Sequence, residues 1–432
     1  MAFLKKKKKK RVCVIGLDGV PYSLLLKLAQ TGIMPATGKL IDSGHLHKLR
    51  ASLPEISAVS WTNFMTGTNP ATHGIFGFTD LKTNSYELRF PNFLDLKKET
   101  FWDLLSNKKK RCIIINQPST YPARQINGIL ISGFVAIELV KAVYPLSYKA
   151  TLEQMGYQID IDTLKSREDH TVLWKELDKT LEGRKKALNF FWKEDWDYFE
   201  FVITGTDRLQ HFLWSAYEDE NHQYHQNFLD YYGRVDGVLN DIVTSFQKLT
   251  EDNDGLYLLS DHGFAKIEQE VYLNAWLMKK GYLNFENSSP ESLDEISESS
   301  RAFALDPNRI YLNLKDKYPR GNVEISEKKS LKEEIKKELE KLEYDGRKVI
   351  RKVFDVEEIY SGPYLLEGPD LIVLSEYGFD MKGSVKKRDV FGRTNLQGMH
   401  TWDDAFFWAK RDWGRELSIS DLADIILKNF LG

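Results

Sequence analysis

Five short stretches of this sequence carry side chains that could do chemistry. Asp18 and Gly19 follow the apolar run Val12 to Leu17. A carboxylate just past the end of a buried strand projects into the crevice where open α/β sheets bind ligands, and a glycine lets the backbone turn sharply away. Asp261-His262-Gly263 repeats that arrangement after Leu256 to Ser260. Asp207 and His211 stand four apart, hence on one face of a helical turn, after the run that ends at Thr204. His400 sits in Gly398-Met399-His400, just before Ala405 to Ala409. The fifth stretch, Ser52 to Gly74, holds two hydroxyls, Ser57 and Ser60, either of which could become a nucleophile if a metal lowered its pKa. Each position alone also has an ordinary use: a turn, an incidental loop histidine, a helix-start carboxylate or an N-capping serine. Spacing does not separate Ser57 from Ser60.

Such side chains need a scaffold that brings them together. Short β-branched runs recur at 11–17, 111–116, 128–132, 198–204, 256–260 and 371–374. Continuous apolar runs suit strands covered on both faces, as in a parallel sheet. Helical patterns lie between them, at 171–192 with Leu173, Leu177, Leu181, Leu188 and Phe191, and at 228–246. The alternation predicts an α/β fold, a mostly parallel sheet with helices on both faces. Residues 266–365 differ. They contain the polar stretch 287–300 and a charged helix over 329–344, with Leu331, Ile335, Leu339 and Leu342 on one stripe. We read this block as an inserted cap that sets substrate specificity. The catalytic core is then 11–265 plus 366–432, with 371–374 returning the chain to it. A last helix starts near Ser420, and residues 1–10 form a basic, disordered tail.

Composition narrows the classes. The chain has 432 residues, 42% hydrophobic and 28% charged, with 60 basic and 63 acidic side chains and a net charge of −3. That is a globular balance with no overall field favouring nucleic acid. Lys5 to Lys10 and Arg11 are a local exception, read as a solvated tail rather than a nucleic-acid or membrane arm. No run approaches the roughly 20 apolar residues of a membrane span, and no secretory signal is expected. The two cysteines, Cys13 and Cys112, imply no disulfide framework and a cytoplasmic location. They also leave any metal to histidines and carboxylates, a set suited to Zn²⁺ first and Mn²⁺ second.

Taken in order, the five stretches closely resemble the alkaline phosphatase superfamily. Within it the chain looks like the type I phosphodiesterase / nucleotide pyrophosphatase family, in its bacterial and archaeal phosphohydrolase or phosphomutase group. The likeness rests on Asp18, on the hydroxyl followed by Thr66-Gly67-Thr-Asn-Pro70-Ala-Thr-His73-Gly74, on Asp207 and His211, on Asp261-His262-Gly263, and on Gly398-Met399-His400. It covers roughly 11–265 and 366–410. It implies that Ser57 is the nucleophile and forms a covalent phosphoserine. It also implies two divalent metal ions, one held by Asp18, Ser57, Asp261 and His262, the other by Asp207, His211 and His400. The expected partner is a small-molecule phosphate ester, and the expected activity is that of a phosphodiesterase. A phosphomonoesterase or phosphomutase on the same site, or an idle binding relative, are the alternatives.

The sequence departs from its relatives in three places. Nucleotide pyrophosphatases carry an Asn shortly after the His-Gly pair; here Gly77, Phe78 and Thr79 stand there and the next Asn is Asn84, so no nucleotide substrate is implied. Thr401 follows His400 where relatives place an Arg. The residues around Ser57 lack the Pro and Arg that a sulfatase needs. His73 is expected to shape its loop, His222 and His225 to be solvated, and Trp61, Phe76, Phe78 and Phe90 to pack rather than stack on a base.

Overall fold

A computed structural model describes residues 9–250 and 254–431. Lys5 to Lys8, most of the basic run, lie outside them. The centre is a nine-stranded sheet in the order Leu417–Ser418, His45–Arg50, Ala405–Ala409, Leu256–Leu259, Val12–Leu17, Tyr198–Ile203, Cys112–Gln117, Gly128–Ser132 and Val143–Tyr144. The five strands from Leu256–Leu259 to Gly128–Ser132 pair in parallel. Ala405–Ala409 and Val143–Tyr144 join antiparallel on either side of that block.

The middle strands are wholly buried because both faces are covered, which is why their sequences show no alternation. One face packs against the helices Tyr22–Gln30, His170–Phe191 and His225–Thr250. The other packs against Ser57–Thr66, Phe101–Asn107 and Asp421–Leu431. His170–Phe191 buries the predicted leucine stripe, and its start is fixed by Asp169, whose side chain accepts the Thr171 amide at 2.7 Å.

Two expectations change. Leu371–Ser375 does not return to the central sheet. It pairs antiparallel with Arg309–Leu312 and Ile350–Asp355 in a separate four-stranded sheet, completed by Ala302–Leu305. An unbroken apolar run reports burial on both faces, not which sheet does the burying. The charged helix stops at Leu339, and Glu343–Tyr344 instead pairs with Arg347–Lys348 across Asp345-Gly346. Both turn residues have positive φ, 48° and 72°, as an Asp-Gly hairpin turn requires.

The second sheet has its own apolar core, including Trp276, Phe303, Leu331, Ile335, Val353 and Val373. Among the described residues no helix is long and apolar enough to cross a membrane. Cys13 and Cys112 are free thiols in buried strands.

Candidate functional site

The strand ends do converge. Asp18 follows Val12–Leu17, Asp207 lies in the first turn of the helix Gly205–Glu218 after Tyr198–Ile203, and Asp261 and His262 follow Leu256–Leu259. These three parallel strands are neighbours in the sheet. His400 comes from outside it, on Gly398–Thr401, which pairs with Gly263–Lys266 and so lies beside the Asp-His pair. Gly19 closes the turn at φ +69°; a β-carbon there would stand 3.0 Å from the Phe264 ring and 3.1 Å from His262 Cε1.

The histidines are aimed by backbone carbonyls. His211 Nδ1 meets Gly398 O at 2.9 Å, His400 Nδ1 meets Glu55 O at 2.9 Å, and His262 Nδ1 meets Gly263 O at 3.0 Å. A carbonyl can only accept, so each Nδ1 carries a proton, and in the neutral ring Nε2 presents a lone pair. Those lone pairs face each other. His211 Nε2 is 3.0 Å from His400 Nε2, and they lie 3.4 Å and 3.3 Å from Asp207 Oδ1. That carboxylate oxygen is buried and has no hydrogen-bond donor. Three acceptors at this separation repel one another unless a cation sits among them.

A second cluster adjoins the first. His262 Nε2 is 3.3 Å from Asp261 Oδ2 and 3.8 Å from Asp18 Oδ1. Asp261 Oδ2 is also buried without a donor, while Oδ1 accepts the Gly19 amide at 3.0 Å. Burial and then the neighbouring charges of Asp261 and Asp207 push the Asp18 carboxyl well above the usual range. Burial, helped by Asp207, pushes Asp261 up to about 7. Burial and the adjacent His400 hold His262 well below the ordinary imidazole range. Burial opposes ionisation of Asp207 too, yet positive charge beside it, the Arg208 guanidinium included, holds its carboxyl well below the usual range. Crowded carboxylates and neutral imidazoles with converging lone pairs fit a pair of divalent cations. Asp18, Asp261 and His262 form one possible ligand group, and Asp207, His400 and the same His262 form another.

The two serines separate clearly. Ser57 is the first residue of its helix, whose N-cap Ile56 supplies no side-chain hydrogen bond. Its Oγ lies 3.1 Å from His262 Nε2 and 3.4 Å from Asp18 Oδ1. Ser60 Oγ is fully buried, 2.8 Å from Ser52 Oγ, and accepts the Ser52 amide. Of the two, only Ser57 faces both carboxylate and imidazole.

His73 and Trp61 behave as expected, whereas His222 and His225 are half-buried rather than solvated and Phe90, expected to pack, is exposed. His73 is buried, 2.8 Å from Asn63, and accepts the Ile75 amide, so it shapes its loop. His222 and His225 bond to nearby backbone at 3.1 Å and 2.8 Å. Trp61 is buried and donates from Nε1 to Asp18 Oδ2 at 3.3 Å, which orients that carboxylate. Sequence reasoning missed Arg208. It donates to Asp207 Oδ2 at 3.1 Å, pairs through Nε and Nη2 with Asp160, and lies 4.0 Å over the Phe134 ring. Its position next to Asp207 was the one available signal.

Comparison with known proteins gives the fold and the family. No curated protein matches the chain by sequence. Among solved structures, phosphonoacetate hydrolase from Sinorhizobium meliloti 1021, in complex with phosphonoacetate, superposes with a TM-score of 0.65 at 14% identity, covering 98% of this chain and 96% of that one. Murine ectonucleotide pyrophosphatase / phosphodiesterase 5, in complex with AMP, gives 0.56 at 11%, covering 98% and 95%. Wild-type alkaline phosphatase PafA gives 0.58 at 11%, covering 98% and 96%. At such identities the likeness shows the fold alone. The sequence itself matches the type I phosphodiesterase / nucleotide pyrophosphatase family over residues 12–403, nearly the whole chain. The chain belongs to that family, which indicates a phosphoester hydrolase.

Proposed function

We propose that the chain is a two-metal phosphodiesterase that works through a phosphoserine at Ser57. The observation that carries this reading is the convergence of three imidazole Nε2 atoms and two donor-free carboxylate oxygens beside the Ser57 hydroxyl. Asp18, Asp261, His262 and Ser57 would hold one cation, and Asp207, His211 and His400 the other. Zn²⁺ suits this nitrogen and oxygen set best, with Mn²⁺ second. Bound there, such cations supply the positive charge that acidifies a hydroxyl and offsets the charge of a phosphoryl group.

The chain's own residues do the rest. Ser57 Oγ forms a bond to phosphorus while the ester oxygen departs with its electron pair and takes up the serine proton, directly or through solvent. The helix that Ser57 opens favours the negative charge at its N-terminus. Water then hydrolyses the phosphoserine, its hydroxyl going to phosphorus and its proton to Oγ. Trp61, Arg208 and the carbonyls of Glu55 and Gly398 keep Asp18, Asp207, His400 and His211 in register. We also propose that the inserted cap extends past residue 365 to about 392. The strands Leu371–Ser375 and Phe379–Lys382 are shared with the sheets of the insertion.

The test is hydrolysis of bis-p-nitrophenyl phosphate by the zinc-loaded protein. Ser57→Ala should abolish turnover, whereas Ser60→Ala should retain it and lose only about 1 kcal/mol of stability. Acid quenching during turnover should trap phosphate on the Ser57 peptide. Full activity in Ser57→Ala would sink the covalent route. Turnover of monoesters alone, or phosphate moved within one molecule, would select a phosphomonoesterase or phosphomutase instead.

A further inference from the structure

A cavity of about 530 Å³ opens beside the helix that Ser57 begins. Ala58, the next residue, and Phe78 form its wall toward the site. Phe78 also lines a smaller cavity, of about 280 Å³, that contains His211 and His400. Phe78 is therefore a wall common to the larger space and the smaller one that holds the histidine cluster. The volume suits a small organic group, since such pockets run from roughly 300 to 1,000 Å³.

The lining is hydrocarbon, supplied by Met65, Phe93, Phe134, Val135 and Ile137 together with Phe78. Two of the polar members are already engaged, and Ser119 and Tyr121 add hydroxyls to an otherwise apolar wall. Thr62 Oγ1 donates to Ala58 O at 2.6 Å, and Asn92 Oδ1 accepts the Leu94 amide at 2.9 Å. At the mouth Phe90 is 74% and Ile137 83% exposed, an apolar rim that a ligand would remove from water. The wall opposite is held in a specific shape. Val135 sits at φ +68°, a region that branched residues rarely occupy. Phe134 lies under the Arg208 guanidinium, which itself donates to Asp207.

We propose that this cavity receives a hydrocarbon substituent of the phosphoester, an alkyl or acyl chain rather than a nucleoside, while the phosphoryl group lies at Ser57. A nucleobase placed here would lose water from its polar edge against a mostly hydrocarbon wall, a cost that a hydrocarbon does not carry. This inference rests on the reading of the Ser57 site as a phosphoester hydrolase.

The test compares methyl, butyl and octyl p-nitrophenyl phosphates with thymidine p-nitrophenyl phosphate, on the full zinc-loaded chain. Burial of one methylene is worth about fourfold, so kcat/KM should rise on the order of sixtyfold from methyl to butyl. The butyl and octyl esters should both exceed the thymidine ester. Ile137→Asp, at an exposed position that the fold tolerates, should flatten the dependence on chain length. A second readout needs no turnover. Octyl phosphate should bind Ser57→Ala protein more tightly than methyl phosphate by calorimetry, and Ile137→Asp should erase the difference. Hydrolysis of all four esters with a flat profile, or a preference for the thymidine ester, overturns this inference and leaves the hydrolase reading standing. No hydrolysis of any ester overturns the hydrolase reading. Equal binding of the two alkyl phosphates overturns the pocket itself.

Discussion

Asp261→Asn should make the metal-free protein more stable above neutral pH and at the same time weaken its grip on metal. Asp261 is fully buried, with Oδ1 bonded to the Gly19 amide at 3.0 Å and Oδ2 lacking any donor, 3.3 Å from His262 Nε2. The introduced amide keeps an oxygen for Gly19 and offers an N–H to the His262 lone pair. Burial, with Asp207 adding to it, raises the Asp261 carboxyl from 3.8 to about 7. In the unfolded chain the proton leaves near 3.8, whereas in the folded chain it stays until about 7. The carboxylate's contribution is thus intact below the lower value and declines as pH rises to the upper one. A shift of about 3 units corresponds to roughly 4 kcal/mol. Because Asp18 shares the crowding, we expect a gain of about 1–4 kcal/mol for the variant. Urea unfolding with chelator present, between pH 5 and 9, would measure it. The variant should pull ahead as pH rises and level off above neutrality. Added zinc should then narrow the gap, since a ligand at a hundred times its Kd stabilises by about 2.7 kcal/mol and the variant lacks one ligand oxygen. If Asp261→Asn is less stable than the parent in chelator at pH 8, the reasoning from charge crowding is wrong.

Gly19→Ala should cost roughly 1–3 kcal/mol in urea unfolding, because it forces a side chain into positive φ and against His262 and Phe264. It should also lower zinc affinity by moving His262; unchanged affinity would mean the turn does not set that ring. Glu200, buried in the central sheet, accepts the Tyr198 hydroxyl and is raised by burial from 4.5 to about 8. Its contribution to stability is therefore lost as pH climbs between those values. Glu200→Gln should unfold about as the parent does near pH 5 and resist unfolding better by about 1–4 kcal/mol near pH 9. Equal curves at pH 9 would refute the buried acid.

What the sequence revealed, and what it hid, follows from the range of the interactions. Buried parallel strands announce themselves locally, because six adjacent positions such as Val12 to Leu17 must all be apolar. His45–Arg50 shows mixed polar and apolar residues near the sheet edge and gives no such signal. Leu371–Ser375 gives the signal but belongs to the other sheet, since burial does not name its partner. The candidate ligand residues were legible because metal chemistry restricts their types and strand ends restrict their places. What orients them was not. His400 takes its tautomer from the Glu55 carbonyl, 345 positions away, and any residue type supplies a carbonyl. Likewise Ser57 and Ser60 are equivalent in a list of residues, one helical turn apart. They become different only when Ser52 takes up the second hydroxyl and leaves the first beside His262 and Asp18. Chemistry is written in residue types, but the proton positions that make it possible are written in contacts between distant backbone atoms. A reading of function from sequence therefore reaches the ligands before it reaches the state in which they can bind.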